Sequence, residues 1–120
     1  MAVLRLRGRE LDLARGVVMA IVNRTDDSFY AAARYTDDAA ALAAVERAVA
    51  EGAEIVDIGG IRAGRGPRVS ADDEIARVVP FVATVRDQFP DVILSVDTWR
   101  SAVAREAARA GADLINDTWA

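Results

Sequence analysis

The segment AVAEGAEIVD at residues 48–57 recurs 59 residues later as AARAGADLIN at residues 107–116. In both copies an Ala-rich stretch leads to a Gly, and a short apolar run then ends on Asp or Asn. This order predicts a helix, a glycine that closes the helix in a left-handed conformation, and a strand. Two strand-helix units of roughly 30 residues each account for the offset. Gly-Ala pairs are common in any Ala-rich chain, but the shared order favours a true repeat.

Short apolar runs that end on a polar residue occur four times in the chain. They are Val17–Asn23, Ile55–Asp57, Val92–Asp97 and Leu114–Asn116. Because apolar residues fill nearly every position without alternation, these runs predict strands buried on both faces, as in a parallel sheet covered by helices. Ligands bind such sheets at the carboxyl ends of the strands. The four polar ends therefore define one candidate site.

The first predicted helix follows the strand at residues 17–23. It begins at Thr36 or Asp37, either of which could cap it, and continues through Glu51. Four of its residues are spaced for one buried face: Ala39, Leu42, Val45 and Val49. We expect this face to pack against the sheet.

Two more helices and a hairpin complete the predicted elements. The second helix starts at Ser70, and Pro80 falls inside it, where proline kinks or splits a helix. The third helix covers residues 100–110, between predicted strands at 92–97 and 113–116. Residues 4–13 alternate leucines with charged residues around Gly8, which predicts a hairpin that covers the bottom of the sheet.

The count is four strands and three helices in βα order, preceded by the hairpin. A (β/α)₈ TIM barrel needs about 250 residues, and an open sheet that ends on a strand exposes an unpaired edge. The fold class predicted from the pattern is therefore α/β, with residues 1–120 forming one partial domain, the N-terminal half of a TIM barrel. On this interpretation the chain is a fragment or a truncated copy.

Composition excludes several kinds of chemistry. The 120 residues include no Cys and no His, so thiolates and the commonest general base and metal ligand are absent. The net charge of −4 gives no reason to expect nucleic-acid binding, and no apolar run is long enough to span a membrane. A hydrophobic content of 52% supports a globular core. We expect a cytoplasmic protein.

The loop Asn23–Tyr30 carries two carboxylates and two aromatic rings directly after a predicted strand. Barrels place catalytic groups on such loops, although a solvated turn whose Asp and Ser side chains bond to their own backbone explains the composition equally well. Asp57 ends the predicted strand Ile55–Asp57 and is a further candidate residue. We interpret it as structural, because an Asp at the end of a strand often caps its own loop.

Asp97 and Asn116 end consecutive strands, so a parallel sheet makes them neighbours. A carboxylate accepts from ring N–H and NH₂ groups, and an amide both donates and accepts. Such a pair suits a nitrogen heterocycle, because leaving buried polar groups unpaired is costly and gives the site specificity.

The ordered motifs along the chain resemble those of the dihydropteroate synthase family. The segments that carry the resemblance are Val18–Phe29, Val56–Gly60, Ser95–Thr98 and Ile115–Asp117. The resemblance spans nearly the whole chain and implies a TIM barrel of which this chain holds the N-terminal half. It also implies an enzyme of folate biosynthesis that condenses hydroxymethyl-dihydropterin diphosphate with para-aminobenzoate and releases diphosphate, with Mg²⁺ assisting.

Carried over by position, the resemblance implies roles for single residues. Asn23 would contact Mg²⁺ and the diphosphate, and Asp97 and Asn116 would bind the pterin ring. Asp27 and Phe29 would lie in the first loop, which closes over the reacting carbon, where a carboxylate can stabilise the cation left when diphosphate departs. The family's later Asp, Lys and Arg/His residues would lie beyond Ala120, and the resemblance implies a homodimer for the whole protein.

The second loop departs from the family pattern. Where the family reads Glu-Ser-Thr-Arg-Pro-Gly after Gly60, this chain has IRAGRG at residues 61–66, so Ala63 replaces the substrate-contacting Thr and Gly64 the Arg. Arg62 or Arg65 could supply a replacement cation. Three hypotheses follow: a synthase, a pterin-binding homologue without synthase activity, and the pterin domain of a methyltetrahydrofolate methyltransferase. We expect no turnover from the 120-residue chain alone.

Overall fold

A β-hairpin comes first in the computed structural model, which describes residues 2–24, 38–60 and 69–118. Strands β1 (Val3–Leu6) and β2 (Arg9–Asp12) pair antiparallel around Arg7 and Gly8, whose positive φ angles match a tight hairpin turn. The Arg9 side chain donates to the Pro90 carbonyl at 2.7 Å and to Asp113 at 2.7 Å, just before the last two strands. The predicted hairpin over the amino end of the sheet is confirmed.

The remaining strands form one parallel sheet, connected through helices. Their order in the sheet, β3-β4-β5-β6, is their order in the chain. The elements are β3 (Met19–Asn23), α1 (Asp38–Ala50), β4 (Ile55–Gly59), α2 (Ala71–Gln88), β5 (Ile93–Asp97), α3 (Ser101–Ala110) and β6 (Leu114–Asn116). This confirms the predicted βα arrangement. Across the described ranges, no helix combines the length and the apolar character needed to cross a membrane.

One face of the sheet packs against the helices and forms the core. Its strand residues are Val22, Val56, Ile58, Leu94 and Val96, and its helix residues include Val45, Val78, Val82 and Val85. Burial of each aliphatic side chain contributes about 1.5–3 kcal/mol. The sheet is therefore held to its helices by branched aliphatic contacts, and the other face is left for the polar groups.

The two edge strands differ from the prediction of burial on both faces. Strands β4 and β5 are buried along almost their whole length, but Ile21 of β3 is 55% exposed and Ile115 of β6 is 40% exposed. Val18, just before β3, is 61% exposed. Each edge strand has one neighbour in the described sheet, so only the central pair is covered on both sides.

Helix positions correct two expectations and confirm one. Ala39 is exposed, because the inward face of α1 is formed by Ala41, Ala44 and Val45, with Leu42 and Val49 packed beside it. Helix α2 continues through Pro80, whose ring lies on the exposed side while the apolar face stays packed, so the predicted split is wrong. The hydroxyl of Ser70 caps α2 by accepting from the Asp73 N–H at 3.1 Å, as predicted. The proposed caps Thr36 and Asp37 lie outside the described residues.

The two repeat glycines allow a matched stability test. Gly52 and Gly111 both have positive φ, 102° and 124°, as the repeat predicts. An added Cβ meets nothing at Gly52, but at Gly111 it would lie 2.7 Å from Cγ of Arg86. Arg86 is fixed there by bonds to the Gly111 carbonyl and to Asp113.

We therefore expect Gly111→Ala to cost about 2–4 kcal/mol of unfolding free energy, from backbone strain plus overpacking. Gly52→Ala should cost about 1 kcal/mol, from strain alone. Urea denaturation of both variants measures the difference. Equal losses of unfolding free energy in the two variants would show that the Arg86 side chain moves away from the added methyl group without cost, which would contradict the prediction.

Candidate functional site

The polar strand ends form one row at the carboxyl edge of the sheet. In the strand register Asn23 pairs with Gly59, Gly59 with Asp97, and Asp97 with Asn116. Neighbours in a parallel register point to the same face, so Asn23, Asp97 and Asn116 share one side. The structure thus brings together three of the four predicted polar ends in one row.

Gly59 occupies the place in this row that the sequence pattern assigned to Asp57, because β4 extends two residues beyond Asp57. A methyl group built on Gly59 would lie 3.4 Å from Oδ1 of Asn23 and 4.0 Å from Oδ2 of Asp97. Both side chains therefore lean toward the space above Gly59. The missing side chain leaves an open gap between them.

Asp57 lies one layer deeper on the same face, level with Ser95 of β5. Its residue is 3% exposed, and its Oδ2 accepts from Nδ2 of Asn116 at 3.4 Å, a long hydrogen bond. Its Oδ1 has no hydrogen-bond partner among the described residues. The loop that Asp57 would cap, residues 61–68, lies outside the described residues, so its interpretation as a loop cap stays a prediction. Asp57 and Asn116 are the matching ends of the two repeat copies.

The Asp97 carboxyl has a perturbed proton affinity. Burial, together with the negative charges of Asp57, Glu74 and Asp117, raises its pKa from 3.8 to about 6. A carboxylate near other carboxylates is energetically unfavourable, the described residues give Asp97 no ion pair, and groups with such shifts concentrate at functional sites. Hydrogen-bond donors placed at this edge of the sheet would therefore stabilise the Asp97 carboxylate.

This shift predicts how stability depends on pH. A carboxyl group whose pKa is raised in the folded state favours folding at low pH, and that contribution is lost as the pH rises from about 4 to 6. A shift of about two pKa units corresponds to about 3 kcal/mol, which solvent screening reduces to about 1 kcal/mol for a partly exposed group. We expect Asp97→Asn to be more stable than the unaltered chain by this amount at pH 8. Thermal denaturation of both proteins at pH 4 and pH 8 measures the difference in stability between Asp97→Asn and the unaltered chain. A difference that is the same at the two pH values would contradict the prediction.

An ion pair closes the base of the first loop. Arg24, directly after β3, pairs with Asp38 at the start of α1. Its guanidinium also lies 5.0 Å from the ring centre of Phe81 on α2, and its backbone N–H donates to the Gly59 carbonyl at 2.6 Å. The predicted loop residues Asp27 and Phe29 lie outside the described residues.

A buried charge pair joins α2 to the residue that precedes α3. Glu74 of α2 is fully buried, and its Oε1 accepts from Arg100 at 2.9 Å. Its Oε2 has no hydrogen-bond partner in the part of the chain that the structure describes. Arg100 also donates to the Val69 carbonyl at 2.7 Å, and Arg77 donates to the Gly60 carbonyl at 2.9 Å. The backbone is thus held on both sides of residues 61–68. The predicted loop residues Arg62 and Ala63 lie outside the described residues.

Sequence reasoning missed this pair because Glu74 is one of three acidic residues in the first turn of α2, where acidic residues are common for reasons of charge alone. Its spacing from Val78 and Phe81 places it on the apolar stripe of α2. A charge at such a position must be buried and needs a partner. The helical spacing of Glu74 with these two apolar residues is the sequence signal that could have revealed the buried pair.

A separate cavity lies at the opposite, amino end of the sheet. It has a volume of about 440 Å³ and is lined by residues such as Leu11, Phe89 and Ile93. None of the unpartnered oxygens of Asp57, Glu74 and Ser95 lies among its lining residues. The polar chemistry is therefore at the carboxyl edge, where parallel sheets bind ligands.

The described ranges contain no group of three or more acidic residues that could hold a metal ion. Asn23 nevertheless offers an amide oxygen at the rim of the site. Mg²⁺ takes oxygen ligands and is often held by one or two protein groups plus substrate phosphates. The donor chemistry of Asn23 therefore fits a metal ion that a bound diphosphate largely coordinates.

Fold and site together define a class: a partial (β/α)₈ barrel whose carboxyl edge presents carboxylate and amide groups to a small ligand. Residues 19–120 match the family described as pterin binding enzyme. The chain belongs to this family.

Similar proteins extend the comparison. The chain is 56% identical over 114 residues to "Inactive dihydropteroate synthase 2" of Mycobacterium tuberculosis, which covers 95% of this chain and 36% of that protein. The crystal structure of Yersinia pestis dihydropteroate synthase with a sulfonamide superimposes with a TM-score of 0.90 at 45% identity, over 97% of this chain and 42% of that one. The Burkholderia cenocepacia synthase complexed with 7,8-dihydropteroate superimposes with a TM-score of 0.80 at 43% identity, over 98% of this chain and 38% of that one. The chain thus spans about two fifths of the length of these relatives, and its fold is the N-terminal part of their barrel.

Proposed function

We propose that this chain is the pterin-binding part of a dihydropteroate synthase-like protein of folate biosynthesis. The observation that carries the proposal is the register row in which Asp97 and Asn116 are direct neighbours at the carboxyl edge. A carboxylate and an amide side by side match the donor and acceptor edge of a pterin ring. The Burkholderia relative, 43% identical, is solved with 7,8-dihydropteroate, a molecule that contains this ring.

The other site residues take roles around this pair. Asn23 would hold Mg²⁺ and the diphosphate, and the metal ion would supply neutralisation of the departing charge. Asp27 and Phe29 of the first loop would close over the reacting carbon, and Arg24 with Asp38 would fix the base of that loop. Para-aminobenzoate would approach past the second loop, where Arg62 and Ala63 replace the family residues. We place the protein in the cytoplasm, where folate precursors are made.

A specific observation favours the second candidate, a pterin-binding homologue without synthase activity. Residues 61–66 lack the family's Thr and Arg, at Ala63 and Gly64, so the aminobenzoate contacts would be lost while the pterin pair remains. The Mycobacterium tuberculosis relative, 56% identical to this chain, is named inactive. The methyltransferase hypothesis is not pursued, because the chain has the Asp-Ser-Phe loop of the synthases.

The experiment mixes the purified chain with hydroxymethyl-dihydropterin diphosphate, para-aminobenzoate and Mg²⁺ and measures both pterin binding and pteroate formation. We expect binding of the pterin and no product. Pteroate formation would overturn the second candidate and the expectation that the chain is inactive alone. Absence of pterin binding at millimolar ligand would overturn the proposed function.

A further inference from the structure

The buried carboxylate of Asp57 has an unused hydrogen-bond acceptor. Asp57 is 3% exposed, and the bond from Asn116 satisfies Oδ2 only. Its Oδ1 is buried and has no hydrogen-bond partner within residues 2–24, 38–60 and 69–118. Leaving a buried acceptor of an ionised group unsatisfied costs more than an ordinary hydrogen bond contributes, so such an atom calls for a donor. Nothing in the described part of the chain supplies one.

The route from the rim of the site to this oxygen passes Gly59. Asp57 and Gly59 are two residues apart on β4, so they lie on the same face of the sheet. Because Gly59 has no side chain, the space above it stays open between Asn23 and Asp97. A ligand edge that approaches the sheet over Gly59 therefore points toward the Asp57 carboxylate.

We propose that Asp57 is a third ligand-binding group of this site: its Oδ1 accepts a hydrogen bond from a ring N–H of the bound heterocycle, while its Oδ2 orients the amide of Asn116. The proposal rests on the pterin-binding function above. It assigns the floor of the site to a residue that the sequence pattern presents as structural. It also gives the Asn116 amide a fixed orientation, with its oxygen left for the ligand.

The charges around Asp97 support this placement. The pKa of Asp97 is raised by burial and then by the negative charge of Asp57, ahead of Glu74 and Asp117, so the Asp57 carboxylate lies close to the same space. Of these three, Glu74 is paired with Arg100. Two carboxylates and one amide converging on a gap select a ligand edge that is rich in N–H donors.

The test compares three variants of the chain in a nuclear magnetic resonance titration with hydroxymethyl-dihydropterin. Asp57→Asn keeps the side-chain volume and removes the charge and one acceptor, and we expect pterin affinity to fall about tenfold or more. Gly59→Ala adds a methyl group that meets only ordinary contacts and leaves Asp57 untouched, so it should fold normally and weaken binding by filling the gap. Ser95→Ala is the control, since Ser95 lies beside Asp57, is equally buried and has an unpartnered hydroxyl.

Affinity in Ser95→Ala should stay within about twofold of the unaltered chain. If Asp57→Asn also binds within about twofold of the unaltered chain, the inference is overturned. If Asp57→Asn does not fold, the same criterion applies to Gly59→Ala. If the affinity is unchanged in that variant but Asp97→Ala abolishes binding, the proposed function is retained and only the role of Asp57 is wrong. If the unaltered chain binds no pterin, both fail together.

Discussion

Replacement of Arg100 by Leu is expected to destabilise the fold by about 3–5 kcal/mol at neutral pH, because it leaves the buried Glu74 carboxylate without a partner. Arg100 is the one donor to Glu74 among the described residues, and Glu74 is fully buried. The loss is a large part of the 5–15 kcal/mol that typically separates folded from unfolded chains. Urea denaturation followed by circular dichroism measures it.

A matched control is available on α3, the helix that begins directly after Arg100. Arg109 pairs with Glu106 at 2.7 Å, but both side chains are largely exposed, so Arg109→Leu should cost less than about 1 kcal/mol. The double variant Glu74→Met/Arg100→Leu removes both buried charges and should recover most of the stability lost in the single variant. A loss for Arg100→Leu no larger than that of the control would contradict the account of this pair.

Replacement of Asp97 by Ala is expected to weaken pterin binding about 100-fold or more. The carboxylate would accept from ring N–H and NH₂ groups, and each hydrogen bond to a charged group contributes about 1.5–3 kcal/mol. The variant leaves those donors unpaired in a partly buried site, which adds to the loss. Fluorescence anisotropy of a pterin probe measures the affinity.

Asp91→Ala is the control for this effect, because Asp91 is exposed near the opposite end of the sheet and lines the cavity there. It should leave the affinity unchanged. If Asp97→Ala binds as tightly as Asp91→Ala, the ring is not held by the row at the carboxyl edge.

Much of the architecture follows from local pattern. The repeat predicts two glycines with positive φ, and Gly52 and Gly111 both have it, because the left-handed conformation that ends these two helices favours a residue without a Cβ. The apolar runs predict parallel strands, and their polar ends predict a shared edge. These features depend on residues close together in sequence.

The features that were missed depend on residues far apart in sequence. Exposure of Ile21 reflects its position at the edge of the sheet, which the apolar run cannot reveal. The Asp57 carboxylate accepts from Asn116, on a strand that is not its neighbour, and no pattern within one strand reveals this contact. Pro80 is accommodated because its side of α2 faces solvent, a fact of packing and not of propensity.

The central claim is that this chain binds a pterin at the carboxyl edge of its sheet. The most direct measurement is a map of backbone amide chemical shifts in the ¹⁵N-labelled chain as hydroxymethyl-dihydropterin is added. The account predicts that the largest changes fall on the register row Asn23, Gly59, Asp97 and Asn116 and on Asp57 beneath it. Changes confined to the amino-end cavity around Leu11 and Phe89, or none at millimolar ligand, would contradict it.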